Sequence, residues 1–512
     1  MQLTYPLPGP TATPPGADAA ARTSGAHIAV LCACFVVTRA WALLAGMHYL
    51  SNESAWLIQV LDLDVLHHHL MRGLLHLHAQ PPLFNAMIGL AEKLAGSSFG
   101  GVILSFQLVL GLSAAVCVYL TLVELGVAAR FSLLVSLALL LNPSEILFEF
   151  DALYTGIVFS LNCFIALALV CYVKRRSNRA LFCLLGLAVG MTLLRSSYHW
   201  LWIAAIVGVL WWQLPESRRQ IARAGVVALF LALLWPAKNY LLFRHFTSTT
   251  WGPYSMSRHW GEPPYGAQLQ TWIDQGRLPS LSRPATQPEP EWLRQHWLVP
   301  STGAPELDDI VKATGGATNW NSLAMLRMHD AQAKDIAFLL RHDPKLYLHN
   351  AGLGIVFYFE PSSIYFTQDE LWPIWNASVA QYQKLAPVDR IVRRVCCNVF
   401  GFPADEVGPS PTRRTMVVQR IRSLCVSSVL AYALVFACVL SFRLRPALWA
   451  GNRERKVAAL VMGLTVFYLF AVVSLVEVGE NMRFRFETQA LVMMVVAIFL
   501  QQLWDRRKGQ SH

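Results

Sequence analysis

Hydrophobic positions come in long runs broken by short polar clusters, at residues 27–48, 100–123, 131–143, 153–173, 180–194, 198–213, 222–243, 424–442, 457–477 and 486–504. Runs of about 20 apolar residues match a bilayer core, so the pattern predicts an all-α polytopic membrane protein with roughly ten transmembrane helices. Two apolar stretches are too short to cross. Residues 83–94, led by Pro81-Pro82, read as a re-entrant or interfacial helix, and residues 346–359 as a helix on the membrane surface.

The polar segments divide the rest. Residues 1–25, rich in Pro, Ala, Gly and Thr, are expected to be a disordered tail. A membrane module follows at 26–243 and holds a polar loop at 49–85. Next come a polar, mostly helical region at 244–423, C-terminal transmembrane helices at 424–505 and a tail at 506–512.

With 55% hydrophobic and 14% charged residues, an ordinary soluble domain is excluded. The net charge of +11 would suggest nucleic acid in a soluble protein. Here the basic residues form short clusters, Lys174-Arg175-Arg176, Arg218-Arg219 with Arg223, Arg453 with Arg455-Lys456, and Arg506-Arg507-Lys508, which share one side if the runs alternate. The positive-inside rule makes that side, and both termini, cytoplasmic in a cell (inner) membrane. The partner is then a membrane and not a nucleic acid. Loop 49–85, the 142–151 and 195–199 connections, the 244–423 region and residues 480–485 fall on the extracytoplasmic face. Of the ten cysteines, Cys396-Cys397 lies in the polar region. The others, Cys425 among them, sit in apolar runs and read as packing residues rather than a disulfide framework.

Loop 49–85 concentrates the candidate chemistry. From Asp64 to His76, helical spacing stacks Asp64, His68, Arg72 and His76 on one face and Leu66, Leu70, Leu74 and Leu77 on another. Adjacent His67, His68 and His69 point in different directions, so no metal site is expected. Asp62-Leu63-Asp64 is the one triplet that leaves a divalent ion open, and no cofactor is expected. Asp62 precedes the helix, where a carboxylate either caps it or serves as a general base, with Glu53 and Asp64 as substitutes. Arg39, inside the first run, is either functional or snorkels to the interface.

An acid soon after the first span, then His78-Ala79-Gln80-Pro81-Pro82-Leu83-Phe84-Asn85, resembles the first extracytoplasmic loop of the GT-C superfamily of membrane glycosyltransferases. These are the relatives of protein O-mannosyltransferases and of the lipid A aminoarabinose transferase. Asn142-Pro143-Ser144 with Glu149 and Tyr154, Leu194-Arg195-Ser196, Trp235-Pro236-Ala237-Lys238-Asn239-Tyr240 and Glu480-Asn481-Met482-Arg483-Phe484-Arg485 are similar to further family elements. Two positions depart from the pattern. Ser51-Asn52-Glu53-Ser54 stands where the family often has Asp-Glu or Asp-Gly, and no Pro follows Arg485.

The resemblance implies a polyprenyl-phosphate sugar donor and an acceptor hydroxyl on a lipid, glycan or protein, joined with inversion at the anomeric carbon. It implies Asp62 as base with Glu149 as second acid. Arg195, Lys238, Arg483 and Arg485 would hold the donor phosphate, and His78, Gln80, Asn142, Tyr154 and Glu480 the substrate. A stacking role falls to Tyr154, Trp251 or Trp260. The rival readings are a secondary transporter or lipid flippase, and a non-catalytic glycan assembly protein of the same fold.

Overall fold

The structure, a computed structural model, describes residues 17–260, 266–278, 288–367, 373–396 and 424–509. The membrane part comprises α1 (Ala17–Leu44), α2 (Leu63–His76), α3 (Pro82–Ala95), α4 (Phe99–Glu124), α5 (Ala129–Leu140), α6 (Pro143–Phe150), α7 (Thr155–Arg175), α8 (Asn178–Leu194), α9 (Trp200–Gln213) and α10 (Arg218–Phe243). The polar region supplies α11 (Gly252–Ser257), α12 (Ala267–Asp274), α13 (Pro290–His296), α14 (Pro305–Asp308), α15 (Leu323–His342), α16 (Pro344–Tyr358) and α17 (Pro373–Cys396). The chain closes with α18 (Val426–Leu444), α19 (Arg453–Val476), α20 (Asn481–Glu487) and α21 (Gln489–Gly509). No strand occurs among the described residues.

Each apolar run is helical, but among the described residues fewer helices than the ten expected are long and apolar enough to cross a membrane. Among the described residues, six are long and apolar enough, and eight if the bent pairs α5 with α6 and α20 with α21 each count as one span. The pairs are bent by 51° and 54°. The first bend has a local cause: Asn142 caps α6 by accepting from the Ser144 N–H at 3.0 Å, and Pro143 occupies its first turn. The helices of 17 and 14 residues, α8 and α9, rise only about 25 and 21 Å, short of a core about 30 Å thick. The stretch expected to be a tail is helical from Ala17 onward; residues 1–16 lie outside the described residues.

The helix most enclosed by others is α7, with 72% of its apolar window buried against 22% for α1 and α10. It packs against α4, α8, α19, α20 and α21. A helix apolar on all sides can be central because no face requires water.

Basic clusters far apart in sequence meet at one end of the bundle. Lys174 pairs with Glu124 at 2.6 Å, Arg176 and Arg453 share Glu216 at 3.6 and 3.1 Å, and Arg455 reaches Asp505 at 2.6 Å. Cys425, read from the sequence as a packing residue, is disulfide-bonded at the start of α18. The side chains of Cys396 and Cys397 lie outside the described residues.

Candidate active site

Loop 49–85 is shaped by polar ties at its own ends and from the polar region. Asn85, fully buried, accepts from the Leu61 N–H at 2.7 Å and donates to the Gln59 carbonyl at 3.0 Å. Asn321 accepts from the His78 and Ala79 N–H groups at 2.8 and 3.2 Å and donates to the His76 carbonyl at 3.1 Å. The buried Lys312 ammonium donates to the carbonyls of Ala55 and Leu57 at 3.1 and 2.7 Å. Burial pulls Lys312 down to about 7, with Asp62 working the other way. Such ties satisfy main-chain groups of an irregular loop that has no ladder of its own.

The expected polar stripe of α2 forms, and its lower half finds a partner absent from the sequence reading. His68 approaches Asp64 at 3.6 Å, whereas Arg72 and His76 converge on Glu306 at 3.0 and 2.7 Å. Burial opposes the charge on Glu306, but its own amide, His76 and Arg72 outweigh it and hold the carboxyl below its ordinary range.

Asp62 caps α2. Its carboxylate accepts from the N–H groups of Asp64 and Thr314, each at 3.2 Å, and from that of Ala313. Both oxygens are thus engaged by backbone donors, so the capping alternative describes its place. The Glu53 side chain lies outside the described residues. Among the described residues, no group of three or more His, Cys, Asp or Glu is placed to hold a metal ion.

Other candidates are also engaged in structural contacts. Glu149 receives Arg39 at both oxygens, at 2.7 and 2.8 Å, with both side chains buried. Lys238 donates to the carbonyls of Leu75 and Leu77 at 3.1 and 2.5 Å and lies over the Trp235 ring, closing the C-terminal end of α2. Arg485 donates to Ser428, Ser362 and the Glu360 carbonyl, at 2.8, 2.8 and 3.1 Å. His78 is fully buried with Nδ1 at 2.9 Å from Thr250 Oγ1, and burial pulls it down to about 3, so it is neutral. Gln80 is buried beside it in the loop. Trp260 belongs to a small core with Leu269 and Trp272, and Trp251 packs on Trp320 at 5.1 Å.

The remaining candidates converge. Arg195, at the end of α8, donates to the Tyr154 hydroxyl at 2.6 Å, and its Nη2 lies 3.0 Å from Glu487 but off the hydrogen-bonding line. The Arg195 guanidinium also lies over the Tyr154 and Phe484 rings. Arg483, from α20, pairs with Glu480 through Nη2 at 2.8 Å and leaves Nε and Nη1 buried without a partner. Asp151, the residue that ends α6, feels the positive charge of Arg483, and its Oδ2 is likewise buried and unpartnered.

Burial pushes the Asp151 carboxyl up to about 7; Arg483 and the Ala152 and Leu153 amides oppose this, and Glu480 adds to it. Loop 49–85 reaches the same place, because Tyr49 donates to the Ala152 carbonyl at 3.1 Å and the Phe84 ring lies 4.8 Å from that of Tyr154. The structure therefore brings together Tyr154, Arg195, Glu480 and Arg483 around Asp151 and Glu487, two acids not singled out by the sequence. Glu487 carried a signal: an acid opening an apolar run needs a buried cation.

A carboxylate that titrates near neutrality beside a guanidinium with unused donors can take a proton while an anion is held next to it. No protein-family model matches the chain, and no curated protein matches it.

Proposed function

We propose that the chain is a glycosyltransferase of GT-C type, working on the extracytoplasmic face of the cell membrane with both termini in the cytoplasm. It transfers a sugar from a polyprenyl-phosphate donor to a hydroxyl of a lipid, glycan or protein. The observations that carry this reading are the two unused donors of buried Arg483 and the bare oxygen of Asp151, whose carboxyl feels the Arg483 charge. The base role passes from Asp62, whose oxygens accept backbone N–H groups, to Asp151.

The acceptor oxygen attacks the anomeric carbon as the bond from that carbon to the phosphate oxygen breaks. The acceptor proton goes to Asp151, and the departing lipid phosphate keeps the electron pair, its charge met by Arg483. Arg195 and Glu487 hold the wall formed by Tyr154 and Phe484. A planar guanidinium suits the phosphate because its donors match two oxygens at once.

The test is release of polyprenyl phosphate from a panel of labelled polyprenyl-phosphate sugars by the full chain in lipid discs. Turnover of one donor, with a loss of about 100-fold or more in Asp151→Asn, is the result expected for removal of a general base. If wild type consumes no donor even with cell-envelope extract as acceptor, the enzyme reading falls.

A further inference from the structure

The other end of the helices carries a second polar feature that the reading above does not use. Between the starts of α8 and α10 lies a cavity of about 900 Å³, lined by Asn178, Phe182, Glu216, Arg218, Arg219 and Arg223 among others. Because the lining residues Arg218 to Ala224 open α10 and Lys238, which touches loop 49–85, stands near its other end, the cavity lies roughly 20–30 Å from that loop.

Its charge is one-sided. The one acid among the lining residues, Glu216, is held from outside by Arg176 and Arg453 at 3.6 and 3.1 Å, and is therefore neutralised before any lining arginine is counted. Arg218 folds onto Trp211, its guanidinium 4.4 Å from the ring and its Nε donating to the Trp211 carbonyl at 3.2 Å. Arg219 and Arg223 stand four residues apart on one face of α10 and are exposed.

Apolar side chains continue from these cations. Val226, Val227 and Phe230 follow on α10 at 67, 49 and 63% exposure, and Phe182 faces outward from α8 at 55%. A cationic recess at the membrane surface, opening onto an exposed apolar stripe on the same helix, matches a phosphate headgroup with its acyl chains. A freely dissolved phosphate would use only the recess.

We propose that this cavity binds the phosphate of an anionic membrane lipid, with Arg219 and Arg223 as its cations and Phe182, Val226 and Phe230 against the acyl chains. The test is native mass spectrometry of the full chain incubated with equal amounts of phosphatidylglycerol and phosphatidylcholine. Wild type should retain phosphatidylglycerol preferentially, and excess inorganic phosphate should not displace it. In Arg219→Gln/Arg223→Gln the preference should fall about tenfold or more, as expected for the loss of two interfacial cations. Arg445→Gln, at an exposed arginine that does not line the cavity, should retain it. Thermal unfolding in phosphatidylcholine shows that the double variant is folded. An unchanged preference in a folded double variant would overturn the site. Displacement by inorganic phosphate at matched concentration would overturn the lipid as its source.

Discussion

Arg39 grips both carboxylate oxygens of Glu149 across 110 positions of chain, inside the membrane part and out of contact with solvent. Gly111 permits the approach: a Cβ there would lie 2.1 Å from Glu149 Oε1. Removing one member of such a pair leaves a buried charge alone, at a cost of about 3–5 kcal/mol. Arg39→Ala and Gly111→Ala should therefore unfold at markedly lower temperature in detergent, whereas Arg39→Met/Glu149→Leu should recover most of the stability and still turn over donor. A folded double variant without turnover would return Glu149 to the chemistry.

Asp151 sets the pH response of the proposed reaction. A base must be ionised, and burial holds this one up to about 7, so donor turnover should rise with pH through neutrality and level off above it. Asp151→Asn should remove that limb along with most of the rate, and Asp62→Asn should leave it in place. For stability the sign is opposite. The carboxyl loses its proton in the unfolded chain near 3.8 and in the folded protein only near 7, so its contribution declines as pH rises between the two values.

Glu306 should act as an acid-sensitive fastening. Its folded value is depressed, so its pairing with Arg72 and His76 is fully present above the ordinary value of 4.5 and is lost as pH falls below that. Protection of the 76–80 amides against hydrogen exchange, corrected for the intrinsic rate at each pH, should fall as the pH drops below 4.5, and Glu306→Gln should show the lower protection already at neutral pH. Equal exchange in variant and wild type at pH 7 would remove Glu306 from this role.

The Cys425 disulfide bears on orientation, because disulfides persist in oxidising compartments. If loop 49–85 faces the extracytoplasmic side, as proposed, Cys425 should resist thiol reagents until reduced. It should then react with one that does not cross the membrane. Labelling without reduction would argue against the bond, and labelling after reduction only by a reagent that crosses the membrane would argue against the orientation.

The helices were legible because a bilayer imposes a length and an apolar composition that a sequence displays directly. The short α8 and α9 read as spans because residues 180–194 and 198–213 are continuous apolar runs, although each is shorter than the roughly 20 residues that cross a bilayer core. At Asn142-Pro143 the sequence suggested an outer connection. That connection is not a plain loop but holds α6, every residue of which is buried. The arginines at 195 and 483 are legible as cations near a membrane face, and the i+3 spacing makes Glu480 a legible partner of Arg483; the partner of Arg195 is not legible, since Glu487 lies far from it along the chain. The capping of α2 by Asp62 is legible in the sequence, but its ties to the Ala313 and Thr314 amides and the pairing of Glu149 with Arg39 are long-range contacts that spacing does not reveal. Asp151 stood two residues from Glu149, and its bare oxygen becomes apparent only when α20 is placed beside it.

Asn321 holds the amides of His78 and Ala79 from 243 and 242 positions further along the chain. At a synthesis rate of about 5–20 residues per second, roughly 12–50 s pass between the emergence of the loop and that of the side chain that fixes it. The helices on either side must enter the bilayer during that interval, while the segment between them still lacks its final main-chain partners. The loop is thus made early and shaped late, and a nascent chain released before residue 321 would be inserted without being set.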